Sequence, residues 1–203
     1  MITEQVNGIE LKLLTDEEVF SPKGIDLGTK AMLSYVELDK EDKVLDLGCG
    51  YGIVGIWVAK QIGSEHVTMC DINVKAIECS SMNAIENGVQ ENLTIVKSDG
   101  LEKITDNDYS TILSNPPYHV DFSVPKQFIE QGYRKLKPGG KLYMVVKRKD
   151  WYQNKLTSVF GGVTVHEKDG YYVFIAEKRK KKIIEKQKNE NKLSKKLSRK
   201  YKK

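Results

Sequence analysis

Short apolar runs alternate along this chain with longer segments whose apolar residues recur at helical spacing. "KVLDLG" (43–48) reads as a buried strand and "YGIVGIWVAKQIG" (51–63) as the helix behind it, closed by a glycine. "HVTMCD" (66–71) and "NVKAIECSSMNAIENG" (73–88) repeat the unit, and "LTIVKSD" (93–99) gives a third strand. "YSTILSN" (109–115) is a fourth, "VPKQFIEQGYRKLKPGG" (124–140) a helix, "KLYMVVK" (141–147) a fifth strand and "RKDWYQNKLTSVFG" (148–161) a further helix. "VTVHEKDGYYVFIAEK" (163–178) predicts a terminal hairpin turning at Asp169-Gly170. Strand and helix in this rhythm predict an α/β fold, a doubly wound parallel sheet covered on both faces. Such sheets bind ligands at the carboxyl ends of their strands, so the site is expected just after Asp46, Asp71, Val96 and Ser114.

Charge divides the chain. Residues 178–203 hold fourteen Lys or Arg and two Glu, a net of +12, which leaves residues 1–177 at −7. The expected organisation is therefore one domain over 1–177, with a leading segment at 20–33, and a basic, disordered or helical tail over 178–203. Such a tail attracts polyanions, because neutralised phosphates release condensed counterions.

Cys49, Cys70 and Cys79 form no C-x-x-C pair, which favours a reducing compartment, and neither they nor His66, His119 and His166 have zinc spacing. No apolar stretch is long enough for a membrane span, and "MITEQVNGIE" lacks the pattern of a signal peptide. A soluble, cytoplasmic protein without metal is expected.

The strand ends carry the chemistry. In "DLGCGYG", Gly48, Gly50 and Gly52 remove side chains that would keep a ligand off the backbone, and a helix opens there. Gly50 to Gly55 also fits the G-x-G-x-x-G of dinucleotide sites, so the loop alone does not choose a cofactor. Asp46 favours another ligand: its carboxylate repels a pyrophosphate and attracts an ammonium. S-adenosylmethionine carries an ammonium, a sulfonium and a ribosyl adenine, without phosphate. Asp71 stands where a ribose-binding acid is expected, with N-capping of the next helix as its ordinary role; Asp99 can accept from an adenine amine or simply turn the chain.

"VLDLGCGYG", Asp71, Asp99 and Asn115-Pro116-Pro117-Tyr118 together resemble the class I S-adenosylmethionine-dependent methyltransferases, from about Phe20 to Glu177. "FSPKGIDLGTKAML" (20–33) is similar to the leading segment of the small-domain members. Within them the motif resembles that of ribosomal RNA guanine-N2 methyltransferases, with Tyr118 where Phe is common, followed by His119. The resemblance implies a Rossmann-like, mostly parallel seven-stranded sheet with a reversed C-terminal strand. It also implies that Asp46 and the loop Gly48-Cys49-Gly50-Tyr51-Gly52 hold the methionine part, Asp71 the ribose, Asp99 and Gly100 the adenine, with Ile72 also at the cofactor, and that Asn115 borders cofactor and substrate. Larger members carry a second, degenerate domain for which 203 residues leave no room, so their particular RNA target is not carried over.

The motif has its own logic. An exocyclic amine is a poor nucleophile because its lone pair is delocalised into the ring. Two acceptors, the Asn115 side-chain oxygen and the Pro116 carbonyl, can hold its hydrogens and aim the lone pair, while Pro116 and Pro117 stiffen the backbone. Tyr118 offers a stacking face for a flipped base. His119, Lys23, Thr29 and the run Lys147-Arg148-Lys149 are secondary candidates for substrate or cofactor contact, each with a plain structural explanation; Trp57 is expected in the core.

The expected activity is methyl transfer to an exocyclic amine in RNA, guanine-N2 of ribosomal RNA first and adenine-N6 second, with RNA reached through the catalytic face and the tail. Glutamine-N5 methylation of a translation factor uses the same motif. A non-enzymatic RNA-binding assembly factor and a dinucleotide oxidoreductase are the remaining alternatives.

Overall fold

The computed structural model describes residues 1–17, 19, 21–117 and 121–180. Tyr118, His119 and all of the tail beyond Lys180 lie outside the described residues, as do Glu18, Phe20 and Val120.

The chain opens with a hairpin that the apolar pattern did not predict, β1 (Ile2–Val6) and β2 (Ile9–Leu13). Its turn is Asn7-Gly8, with φ of 47° and 82°. That dipeptide between alternating residues is a recognised hairpin signal, present in "VNGI". The hairpin is fastened to the body by side chains: Trp57 Nε1 donates to Val6 O at 3.1 Å, and Asn87 Nδ2 to Lys12 O at 2.7 Å. Trp57 is a core residue, 2% exposed.

Helix α1 (Leu27–Leu33) follows, N-capped by the Asp26 side chain. Then come β3 (Val44–Leu47), α2 (Ile53–Ile62), β4 (Val67–Asp71), α3 (Val74–Glu86) and β5 (Thr94–Lys97). The second half supplies β6 (Tyr109–Ser114), α4 (Ser123–Lys135), β7 (Leu136–Val146), α5 (Asp150–Phe160), β8 (Thr164–Lys168) and β9 (Tyr171–Glu177). Strands β3 and β6 are buried at every position, which explains their unbroken apolar character: both faces of the sheet are covered. One difference concerns the helix expected over 124–140. It stops at Lys135, and Leu136 to Gly140 already belong to β7, because Pro138 cannot continue a helix and disfavours it for the residue before.

Seven strands form one sheet in the order β5-β4-β3-β6-β7-β9-β8. β3, β4, β5, β6 and β7 run parallel, and β9, the last strand among the described residues, is antiparallel to both β7 and β8. One core packs α1, α2, α3 and the hairpin against one face, and the other packs α4 and α5 against the opposite face. Side chains of β7 alternate between the two: Leu142, Met144 and Val146 in one, Tyr143 and Val145 in the other. Each such fully buried aliphatic residue contributes about 2 kcal/mol. The strand order reverses between β3 and β6, so the crevice for a ligand opens at their carboxyl ends.

Candidate active site

A cavity of about 380 Å3 occupies that crevice, a volume suited to a small molecule of nucleoside size. The structure brings Asp46, Gly48, Cys49, Gly50, Asp71, Ile72, Asp99, Gly100, Asn115 and Pro117 together on its wall. Of the residues singled out in the sequence, Gly52 and Pro116 do not line it, and Tyr118 lies outside the described residues. Lys23 is exposed and away from the wall; Thr29 is on it.

The glycine loop is held from below. The N–H groups of Gly48 and Cys49 both donate to Cys70 O at 2.9 Å, so the end of β4 supports the turn out of β3. Gly50 has φ of 54° and nothing within 4 Å of where a Cβ would stand, so its glycine answers to backbone conformation. Gly55 answers to space: a Cβ there would stand 2.5 Å from the Met69 side chain, which lets α2 lie close on β4. Gly52, the left-handed N-cap of α2, acts through the backbone and not by touching the cavity.

Two carboxylates brace the same loop. Asp46 is 2% exposed and accepts from Gly55 N–H at 2.8 Å. Burial pushes its pKa up to about 7, Gly55 N–H opposes the shift, and the nearby Asp71 charge adds to it. Asp71 accepts from Gly50 N–H with one oxygen and from Asn73 N–H with the other, both at 2.9 Å. The N-cap of α3 is Asn73, whose side chain accepts from Lys75 N–H. The capping role open to Asp71 is thus filled by its neighbour. Cys49 is buried, and burial with the Asp46 charge pushes its thiol well up, so it stays protonated and unreactive at neutral pH.

The opposite wall is assembled from remote parts of the chain. Asn115 Nδ2 donates to Asp26 Oδ2 at 2.9 Å and to Thr29 Oγ1 at 3.0 Å. Asp26 Oδ2 also accepts from Thr29 N–H, and its Oδ1 accepts from Tyr171 OH at 2.9 Å. Gly28 makes room for this cluster, since a Cβ there would stand 2.7 Å from both Asp26 Oδ2 and the Tyr171 ring. Both donor hydrogens of the Asn115 amide are committed to the α1 side, which assigns its orientation: the carbonyl oxygen is the other end. Tyr51 ties the two walls, its hydroxyl donating toward Ser21 O and Gly24 O at 3.2 and 3.0 Å. Asp26 and Tyr171 were not recognised in the sequence. Asp26 was readable as a cap before "LGTKAML", but nothing local marked it or Tyr171 as neighbours of Asn115.

Asp26, Asp46, Asp71 and Asp99 all line the cavity, and no Lys, Arg or His does so among the described residues. Four carboxylates around one pocket repel a pyrophosphate and favour a cationic ligand. No group of acidic, Cys and His side chains able to hold a metal is found among the described residues, nor a helix long and apolar enough to cross a membrane.

Comparison with known structures gives the class. The fold matches a 16S rRNA N2 methyltransferase from T. thermophilus in complex with AdoMet and guanosine, at a TM-score of 0.81 and 25% identity over 88% of this chain and 50% of that one. A doubly wound sheet with a reversed last strand and this site at its switch point is the architecture of the S-adenosylmethionine-dependent methyltransferases. The chain belongs to the methyltransferase small domain family, whose sequence model matches residues 10–176. An uncharacterized Bacillus subtilis protein, YbxB, is 34% identical over 81% of this chain and 84% of its own length. The ribosomal RNA small subunit methyltransferase C of Shewanella amazonensis is 35% identical over 79% of this chain, but over only 48% of its own length. The chain thus spans about half of the ribosomal RNA methyltransferases that it matches.

Proposed function

We propose that the protein transfers the methyl group of S-adenosylmethionine to the exocyclic amine of a base in RNA, guanine-N2 of ribosomal RNA foremost. The observation that carries this reading is the Asn115 amide, oriented by Asp26 and Thr29 on the wall of a carboxylate-lined cavity. The named activity of the Shewanella relative and the guanosine in the T. thermophilus complex support it.

In this mechanism Asp46 and the Gly48–Gly52 loop take the methionine end of the cofactor, the ionised Asp46 facing its ammonium. Asp71, braced by two backbone N–H groups, would accept from the ribose hydroxyls, with Ile72 beside it on the wall, and Asp99 with Gly100 would receive the adenine. Asn115 Oδ1 and the Pro116 carbonyl would accept the two amine hydrogens and turn the nitrogen lone pair toward the bound methyl donor. S-adenosylmethionine would supply the methyl group, the C–S bond breaking with its electron pair as the N–C bond forms and the extra amine proton passing to water. Positive charge develops on the amine, and Asp26, one amide away, polarises the Asn115 carbonyl in the direction that stabilises it. Asp26 is a positioning residue here, with Tyr171 holding it. Alignment of this kind supplies several kcal/mol of barrier reduction.

The test is transfer of tritiated methyl groups to unmodified ribosomal subunits, transfer RNA and a translation release factor, followed by digestion to nucleosides or amino acids. Label in N2-methylguanosine of ribosomal RNA is expected. Label confined to protein would overturn the RNA assignment, and label in N6-methyladenosine would change the base.

A further inference from the structure

Strand β7 runs past the end of β6. Ser114 pairs with Met144, so Lys147 stands three residues beyond that level, as Pro117 on the cavity wall stands three beyond Ser114. Lys147 lies over the ring of Tyr171, whose hydroxyl bonds to Asp26 on the cavity wall, so the run Lys147-Arg148-Lys149 begins beside the cavity. All three are exposed.

Each of these cations lies over an aromatic ring: Lys147 over Tyr171 at 5.1 Å, Arg148 over Phe122 at 5.8 Å and Lys149 over Tyr172 at 5.7 Å. Neither Arg148 nor Lys149 enters an ion pair among the described residues. A ring face orients a cation without neutralising it, so the charge stays available to an anion. Phe122 is 37% exposed, a large apolar side chain held at the surface. It stacks on Trp151, with centroids 4.5 Å apart and planes 26° from parallel, and Trp151 meets Tyr152 edge-on. Phe122 precedes α4, whose residues Val124 and Phe128 form part of the cavity wall. Two carboxylates lie in the same region and both serve helix starts. Asp121 accepts from Ser123 N–H, and Asp150 is in the first turn of α5.

We infer that Phe122, Trp151, Arg148 and Lys149, with Lys147, form a subsite for single-stranded RNA that holds a nucleotide flanking the one to be methylated. A ring or guanidinium plane for a base, beside cations such as Arg148 and Lys149 for its phosphate, is the chemistry of sequence-tolerant binding to single strands. An acidic peptide would use the charges but leave the Phe122–Trp151 stack without a purpose. The cations also stand out against a body whose net charge is −7, so they mark where a polyanion can approach. This subsite rests on the RNA substrate proposed above and adds how the strand beyond the target base is held.

The test is fluorescence anisotropy of the full-length protein with a labelled single-stranded oligoadenylate of about 12 nucleotides, titrated across salt. Phe122→Leu, which keeps bulk but removes the ring, is expected to weaken binding roughly tenfold. The Arg148→Ala, Lys149→Ala double variant should flatten the log–log salt slope by about 1.4, near 0.7 for each lost contact. Both variants should keep wild-type affinity for S-adenosylhomocysteine, which verifies the fold. Unchanged affinity and slope in both would overturn the subsite, as would equal displacement of the oligonucleotide by oligoglutamate at matched charge. A protein that binds RNA through these residues yet methylates none refutes the proposed activity and leaves the subsite standing. One that methylates RNA while both variants bind normally does the reverse.

Discussion

On one side of the cavity, Gly55 N–H reaches Asp46 across nine residues of chain and Gly50 N–H reaches Asp71 across 21; on the other, Asn115 reaches Asp26 across 89 residues and Tyr171 reaches Asp26 across 145. The first wall is built by one strand–loop–helix–strand unit whose backbone N–H groups fix the carboxylates. The second exists only when α1, the end of β6 and the start of β9 are docked on one another. The difference separates two jobs. A wall made of local backbone is suited to gripping a cofactor, whereas one made of side chains from three elements can orient an acceptor group and is correspondingly easier to disturb from a distance.

The comparison breaks most sharply at Asn115. Asn115→Ala is expected to lower methyl transfer about 1,000-fold while cofactor affinity stays within about twofold. Single-turnover kinetics beside calorimetry measure the two quantities, and a parallel loss in both would merge the walls into one function. Asp71→Ala should act on the opposite side, weakening cofactor binding by about 10- to 100-fold through the loss of charge-assisted hydrogen bonds; transfer at saturating cofactor should fall much less.

Asp26→Ala should reduce kcat about tenfold with little change in KM for the cofactor, and should cost about 1 kcal/mol of stability through the lost cap of α1. Asp26→Asn sharpens the point. Its oxygen can still accept from Asn115 and Thr29, and its amide can donate to a Tyr171 hydroxyl turned to accept. Most of kcat should therefore return, the remaining deficit measuring the carboxylate charge alone. If Asp26→Asn were as slow as Asp26→Ala, geometry would not be what Asp26 provides.

A further expected effect is one of pH. The Asp46 pKa is raised in the folded, unliganded protein to about 7, against about 3.9 for an unfolded Asp. Between those values the folded state holds a proton that the unfolded state has lost, so unliganded stability falls as pH rises through the interval and levels off above about pH 7. Binding of an ammonium-bearing cofactor favours the ionised carboxylate, so affinity should climb severalfold between about pH 6 and about pH 7.5. Thermal melts and calorimetry across this range check both signs. Asp46→Asn should remove both trends, and trends that survive in that variant would assign them to another group.

Legibility in the sequence follows the same division. Asp46, Asp71, Asp99 and Asn115 could be placed because each closes an apolar run, and a strand end in a parallel sheet faces the ligand edge. Gly52 was selected by pattern and does not line the cavity, since a motif records backbone conformation and does not distinguish contact from support. The N-terminal hairpin was missed although Asn7-Gly8 announced it, because its two strands are only five residues each and form a separate two-stranded sheet. Asp26 carried no sequence signal beyond its place before "LGTKAML", where it caps α1.

By itself, the sequence determined the succession of strands and helices from β3 to β9, the switch to a terminal hairpin and the carboxylates of the glycine-loop wall. All of these follow from periodicity, turn residues and hydrogen bonds within one strand–loop–helix–strand unit. Only the tertiary structure decided that Asp26, Thr29 and Tyr171 surround Asn115, and that Phe122 stacks on Trp151 beneath Arg148. Those contacts join elements brought together by burial of the two cores. A side chain carries no local mark of the partner that packing will set beside it.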